Sequence, residues 1–274
     1  MRAPGAEALL EAPAAGRVHR SDRLVRFGDT SPKGRLRLDA LARYLQDAAA
    51  DDAVDAGIDD PFPWVVRRAV VEVHAPAAAG ERLTLATWCS GTGSHWAERR
   101  VSVTGDRGAH LETVALWVHV HPRSGRPAPL VPGFDEVYGA AAAGRRVTAR
   151  LRHVGAVPDG TSCRPWALRF VDFDVLGHVN NAAAWAVVEE VLADVDEGPS
   201  WPRRVEVEFR EPILRADEVS VHHVGPTSPG GEVSLWVDAT SPGGPATVRT
   251  TARATRLPTP TDDPGRRLPS WPPP

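Results

Sequence analysis

The sequence is poor in the residues that would announce a specialised compartment or partner. Only two cysteines, Cys89 and Cys163, occur in 274 residues. They have no metal-ligand spacing and are too few for a disulfide framework, so a cystine-stapled secreted scaffold is excluded and a reducing cytoplasm is the expectation. No run of about 18 apolar residues appears, and MRAPGAEALLEAPAAG lacks an apolar stretch long enough for a secretion signal, so membrane insertion is not expected. Strong charge of either sign is missing as well. The formal net charge of −3 gives nucleic acid or an anionic membrane no general attraction. Lys33 is the only lysine, while Arg, Ala, Gly and Pro abound; this bias lowers the weight of any single Arg as a sign of function.

What is present has an internal order. Residues 1–16 and 257–274 are rich in Ala, Gly and Pro without periodicity and are expected to be disordered tails. Val18–Phe27 reads as a strand, Gly28–Gly34 as a turn, and Leu36, Leu38, Leu41, Ala42, Leu45, Ala48 and Ala49 recur at helical spacing. Four runs rich in Val, Thr and Trp, near 64–74, 81–90, 94–104 and 110–121, predict an antiparallel meander. Residues 133–163 read as a loop-like linker with one short strand-like piece, Arg146–His153. The same order then returns, with a strand over 165–171, a helix over 181–193, and strands near 202–210, 217–224, 232–240 and 246–256.

Placing RFGDTSPKGRLRLDALARYLQD, from Arg26, on RFVDFDVLGHVNNAAAWAVVEE, from Arg169, exposes a repeat at an offset of 143. Arg26, Phe27, Asp29 and Gly34 coincide with Arg169, Phe170, Asp172 and Gly177. Ser31 stands against Asp174, Arg35 against His178 and Leu38 against Asn181. The frame is duplicated, and the reactive side chains belong to the second copy only. Asp29 and Asp172 are therefore read as structural, bonding turn amides, and Gly177 as the positive-φ residue of its turn. Small side chains at Ala182, Ala183, Ala184 and Ala186 let a sheet approach the second helix, with Trp185, Val188, Val191 and Leu192 filling the core. Two such units, 17–132 and 164–256, can pair their open edges into one continuous sheet.

The second turn carries the chemistry. Asp174 and His178, four apart across a glycine, can face one reacting carbonyl. Backbone N–H groups of Val179–Ala182 stand at a helix start, where the macrodipole favours negative charge. Hydrolysis at an activated carbonyl needs such a set: an activated water or carboxylate nucleophile, and donors for the oxyanion. One of Asn180 and Asn181 is expected to cap the helix.

D-x-D-x-x-G-H-V-N-N before a small-residue helix resembles the hotdog-fold thioesterases. Over roughly 18–256 the chain is similar to the acyl-ACP thioesterases, on Leu45-Gln46-Asp47-Ala48-Ala49, Trp64-Val65-Val66-Arg67-Arg68, Thr87-Trp88, Glu98-Arg99-Arg100, Trp117 and RSGRPAPL from Arg123. The resemblance implies an α+β fold of tandem hotdog domains, each an antiparallel sheet wrapped around a central helix. It implies hydrolysis of acyl-ACP to a free fatty or related acid in fatty-acid biosynthesis, without metal or organic cofactor. Acyl carrier protein is then the partner, with a homodimer among the assemblies open to the chain. Asp174, His178 and Glu211 match the family's catalytic positions, whereas Leu176 stands where those enzymes carry Asn, so that Asn180 or Asn181 would supply the amide. Asp174 is then nucleophile or orienting carboxylate, His178 positions or activates the nucleophile, and Glu211 is the alternative general base. The first half serves as scaffold and acyl pocket. An acyl-CoA thioesterase and a non-catalytic acyl-binding module are the competing readings.

Other polar residues receive ordinary roles. His119 and His121 share a strand face, lack a third ligand and are expected to be exposed or at an edge. His222 and His223 point to opposite faces. Trp88, Trp96, Trp117 and Trp185 are expected in the core, with one or two lining the acyl pocket. An acidic carrier protein calls for a basic patch. Candidates are Arg67-Arg68, Arg99-Arg100, Arg145-Arg146 with Arg150 and Arg152, and Arg203-Arg204, each more simply a solvated face.

Overall fold

A computed structural model describes residues 9–58, 63–195, 203–226 and 231–257. The runs rich in β-branched residues become strands because alternate side chains can enter a core while their neighbours stay outside. In chain order the elements are β1 (His19–Leu24), α1 (Leu38–Asp55), β2 (Trp64–Ala75), β3 (Arg82–Thr92), β4 (Trp96–Gly105), β5 (His110–His119), α2 (Phe134–Ala142), β6 (Ser162–Trp166), α3 (Asn181–Val195), β7 (Arg203–Phe209), β8 (Glu218–Val224), β9 (Val233–Thr240) and β10 (Ala246–Arg256). The strands form one antiparallel ten-stranded sheet in the order β1-β3-β4-β5-β2-β7-β10-β9-β8-β6. The protein is thus α+β, a large antiparallel sheet with few helices. The strand order is repeated in mirror fashion about the β2–β7 pair.

That central pair shows how the sequence sets the two faces. Val71 pairs with Val205 and Glu72 with Arg204. Val71, Val73, Val205 and Val207 are buried in one cluster with Leu41 and Ala48 of α1 and Val188 and Val191 of α3. At about 1.5–3 kcal/mol for each fully buried branched side chain, this shared core is the main force joining the halves. On the opposite face Arg68, Glu72, Arg204, Glu206 and Glu208 alternate with the valines. Arg204 pairs with Glu72 at 2.5 Å, and Arg68 stands 3.8 Å from Glu206.

The segment expected as a loop-like linker departs from its prediction in two ways. It contains α2, because its alanines are strong helix formers and Phe134, Tyr138, Ala141 and Ala142 bury one face. Beyond α2 the chain crosses the outer face of the sheet as a strap, and Arg146–His153 makes only an isolated bridge, Thr92 to Arg146. The backbone N–H groups of Arg152 and His153 donate to the Glu208 carboxylate at 2.5 and 3.0 Å, and the indoles of Trp96 and Trp236 donate to the carbonyls of Val147 and Val154. Glu208, 0% exposed, is a buried charge satisfied by this strap.

Further corrections follow from tertiary packing. Arg68, Arg100, Arg203 and Arg204, expected as solvated or carrier-facing, are buried. His119, expected exposed or at an edge, is 1% exposed on β5, between β4 and β2, with Nδ1 2.6 Å from the Pro129 carbonyl and its ring against Trp64. α1 continues to Asp55, and β6 stops at Trp166, so most of the strand expected over 165–171 is irregular chain ending in a 3-10 turn at Phe170–Asp172. Of the tails, 1–8 and 258–274 lie outside the described residues. Residues 9–16 carry no helix or strand, and Gly16 lies against the backbone of Ala140 and Ala141. Among the described residues no helix is long and apolar enough to cross a membrane.

Candidate active site

The site is built on the turn between β6 and α3. Asp172 closes its first part, accepting the Arg169 N–H at 2.8 Å and the Arg169 guanidinium at 2.7 Å. Asp29 performs the same task in the first half, accepting the Arg26 N–H at 3.0 Å and the Tyr44 hydroxyl at 2.5 Å. Burial and then Asp29 push the Tyr44 pKa up, keeping the phenol a donor. Gly177 and Gly34 both adopt positive φ, 75° and 77°, where a side chain would be strained.

Past Gly177 the chain folds back on itself. Asp174 N–H donates to the His178 carbonyl at 3.0 Å, and Val179 N–H donates to Ile213 O at 3.0 Å, which ties the turn to the loop after β7. The Asp174 carboxylate accepts the Leu176 N–H at 2.9 Å and lies 3.4 Å from the Asn180 amide nitrogen. Asn180 caps α3, its Oδ1 accepting the Ala182 N–H at 2.8 Å, and Asn181 is the first helical residue. Asp174, Asn180 and Asn181 are thereby brought together. The half-buried His178 imidazole has no hydrogen-bond partner among the described residues. Leu176 is 51% exposed, so this position supplies Asp174 with a backbone N–H and no side-chain amide. Glu211 is exposed and ion-paired with Arg249, and no bond among the described residues joins it to the other four.

The helix start supplies one open donor. The N–H groups of Val179, Asn180, Ala182 and Ala183 are taken by Ile213 O, Asp172 O, Asn180 Oδ1 and Asn180 O. The Asn181 N–H has no acceptor among the described residues, at the positive end of a 15-residue helix.

The other half contributes as well. Gln46 of α1 donates from Nε2 to Asn180 Oδ1 at 3.1 Å and also to Asn181 Oδ1. Sequence reasoning did not single Gln46 out, although the 143-residue alignment sets it opposite Glu189. Gln46 also lines a cavity of about 330 Å³ in the first half, together with Ala49, Ala53, Cys89, Trp117 and Tyr138. Burial there pushes the Cys89 thiol pKa up, so it stays protonated. Trp64 and Trp117 are in the cavity wall, Trp88 and Trp185 are core residues, and Trp96 is held under the strap. A smaller space in the second half, about 20 Å³, lies on a different part of its helix. Ala183, Ala184 and Val187 line it with Trp166, Leu168 and Asp172, and the counterparts of those three helix residues are Ala40, Leu41 and Tyr44, not Gln46 or Ala49.

One group has the composition of a metal site. His153, Glu206 and Glu208 hold ligand atoms within 4.8 Å of one another. Glu208 is already bonded to the strap and 3.5 Å from Arg210, and Glu206 lies 3.8 and 3.9 Å from Arg68 and Arg204. The arginines supply the positive charge a cation would bring.

A largely apolar cavity suits an acyl chain, and a carboxylate beside an open helix-start N–H suits attack on its carbonyl. The class defined by fold and site is a hydrolase of acyl groups. The family model for the acyl-ACP thioesterase N-terminal domain matches residues 16–138, and that for the acyl-ACP thioesterase C-terminal domain matches 158–243. The chain belongs to the acyl-ACP thioesterase family, and thioester hydrolysis is its activity class. An uncharacterized protein of Mycobacterium tuberculosis is 30% identical over 217 residues, 79% of this chain and 86% of that one. Among solved structures, the 12:0-ACP thioesterase from Umbellularia californica superposes with a TM-score of 0.71 at 21% identity, covering 89% of this chain and 98% of that one. An acyl-ACP thioesterase from Bacteroides thetaiotaomicron gives 0.70 at 16% identity, covering 87% and 97%. At these identities the likeness is one of fold.

Proposed function

We propose that this protein is a cytoplasmic thioesterase that hydrolyses acyl-ACP to a free fatty or related acid and ACP in fatty-acid biosynthesis. Its architecture is two tandem hotdog domains, 17–132 non-catalytic and 164–256 catalytic, joined by 133–163. The observation that carries the reading is the contact of Gln46, at the edge of the 330 Å³ cavity, with the asparagines beside Asp174. The acyl chain lies in the first-half cavity and the thioester carbonyl reaches the start of α3. There the Asn181 N–H receives the developing oxyanion. Asp174, held by Leu176 N–H and Asn180, orients the attacking water or attacks the carbonyl itself, and His178 activates or positions that nucleophile. In either route the C–S bond breaks and the sulfur leaves as a thiol with a proton that water gives up. The acid is freed when water attacks the thioester carbonyl directly, or when water hydrolyses the anhydride formed by attack of Asp174. Glu211 is the alternative general base.

Carrier-protein use is supported by Arg146, Arg150 and Arg152, the basic candidates that are exposed. The test is hydrolysis of a graded series of acyl-ACPs and acyl-CoAs by the wild type and by Asp174→Asn. Wild-type preference for acyl-ACP and a fall of about 10²-fold or more in kcat for the variant are expected. Equal rates on both thioesters would assign the protein to acyl-CoA, and undiminished cleavage by Asp174→Asn would remove Asp174 from the chemistry. A wild type that binds acyl chains without cleaving them would be an acyl-binding module.

A further inference from the structure

Gln46 and Glu189 occupy the same place in the two copies, at the offset that relates Leu38 to Asn181 and Arg35 to His178. Their side chains cross between the helices in opposite directions. Glu189 of α3 reaches the start of α1, where its Oε2 accepts the Leu38 N–H at 3.2 Å and its Oε1 takes the Arg35 guanidinium. Gln46 of α1 reaches the start of α3, but there it gives hydrogen bonds instead of accepting them, to Asn180 Oδ1 at 3.1 Å and to Asn181 Oδ1.

The difference between the two is one of chemistry at one atom. An ionised carboxylate offers only acceptors, so at a helix start it consumes an unpaired N–H. A primary amide turned nitrogen-first toward two side-chain oxygens offers no acceptor in that direction. The outcome is visible in the two helix starts: the Leu38 N–H is closed by Glu189, and its counterpart on Asn181 has no acceptor among the described residues. Gln46 also settles the orientation of Asn180. With Oδ1 of Asn180 receiving both Gln46 and the Ala182 N–H, its Nδ2 is left to face Asp174 Oδ2.

We propose that Gln46 is a positioning residue for the thioesterase site, supplied by the half that lacks the reactive side chains. By presenting an amide and not a carboxylate to the start of α3, it keeps the Asn181 N–H open for the oxyanion and turns Asn180 toward Asp174. The first half shows the same device closed: Glu189 fills the position an oxyanion would take, and Arg35 neutralises it where His178 stands in the other copy. This inference rests on the thioesterase reading for its kinetic consequence, and on the helix geometry alone for the state of the Asn181 N–H.

The experiment compares wild type, Gln46→Glu and Gln46→Ala by steady-state kinetics across pH and by amide hydrogen exchange at Asn181. In Gln46→Glu the ionised carboxylate is expected to close on the Asn181 N–H as Glu189 closes on Leu38. Its kcat should fall by roughly 10²–10³-fold, the loss typical of one oxyanion donor, with KM little changed. Exchange at Asn181 should slow in parallel. As pH falls and the new carboxyl is protonated, both effects should reverse relative to wild type. Gln46→Ala leaves the N–H open and should lose only about tenfold in kcat. Unchanged exchange at Asn181 in Gln46→Glu overturns the proposal, whether or not kcat falls. Slowed exchange with wild-type kcat also overturns it, because Asn181 is then not the oxyanion donor. A wild type that cleaves no acyl thioester removes the thioesterase reading, and the exchange measurement still decides whether Gln46 keeps the helix start open.

Discussion

The two halves share one strand order and one turn frame, yet the first holds a cavity of about 330 Å³ against Gln46 and Ala49 of α1, where the second has Glu189 and the core residue Leu192. The half with the cavity has Ser31, Arg35 and Leu38 where the other has Asp174, His178 and Asn181. One copy carries this space and the other the candidate catalytic groups. The helix residues explain the space. Ala49 in α1 lines the cavity, and its counterpart at the 143-residue offset is Leu192, packed in the core of α3. α2 then adds Phe134 and Tyr138 to the cavity wall. Neither half is complete, because the helices exchange Gln46 and Glu189 across their contact.

The comparison is broken most severely at Asp52. This residue, 1% exposed, accepts Arg17 at 2.6 Å, Arg99 at 2.5 Å and the Tyr138 hydroxyl at 3.0 Å. Its counterpart in α3 is the apolar Val195. Asp52→Ala strips the partner from the mostly buried Arg99 guanidinium and should cost about 3–5 kcal/mol, read from denaturant unfolding. A loss below about 1 kcal/mol would show that the cavity wall does not depend on this network.

A smaller pair of substitutions tests whether the halves differ by packing alone. Leu192→Ala should open space in the second half at a cost of about 2–3 kcal/mol, without changing which acyl chains are cleaved. Ala49→Leu should leave stability nearly unchanged and shift the preferred chain shorter by about three carbons, at about 0.8 kcal/mol for each methylene excluded. An unaltered chain-length profile in Ala49→Leu would place the acyl chain elsewhere.

Local signals made most of the strands and the second turn legible. Gly177 needed only the glycine rule, and Asp172 declared itself structural by recurring as Asp29. The helix periodicity of Leu38, Leu41, Leu45 and Ala48 was equally local. What stayed hidden depended on contacts between distant segments. The Gly- and Pro-rich surroundings of α2 masked a helix that buries Phe134, Tyr138, Ala141 and Ala142 and packs on β3. Arg68, Arg100 and Arg204 looked like surface charge, because the strap that covers the outer sheet face has no sequence signature. Gln46 was written in the alignment opposite Glu189, but only the crossing of the two helices shows that one donates and the other accepts.

The smallest expected effect concerns the seam where the halves meet. Its inner face is valine against valine, and its outer face sets Glu72 against Arg204 at 2.5 Å. Burial opposes the charged form of Glu72, but hydrogen bonds from His74 and Arg204 outweigh it and hold the carboxyl below its ordinary value of 4.5. A carboxyl whose folded pKa is lowered stabilises the fold at pH above its unfolded value, and that contribution is lost as pH falls through the folded pKa. Glu72→Gln should therefore be less stable than wild type near neutrality, and the gap should close as pH is lowered from about 7 to about 3. Denaturant midpoints across that range give the answer. A gap that does not change with pH would mean that Glu72 ionisation contributes nothing at the seam, which leaves the valine face, the Arg68–Glu206 contact and the helix crossing to join the two halves.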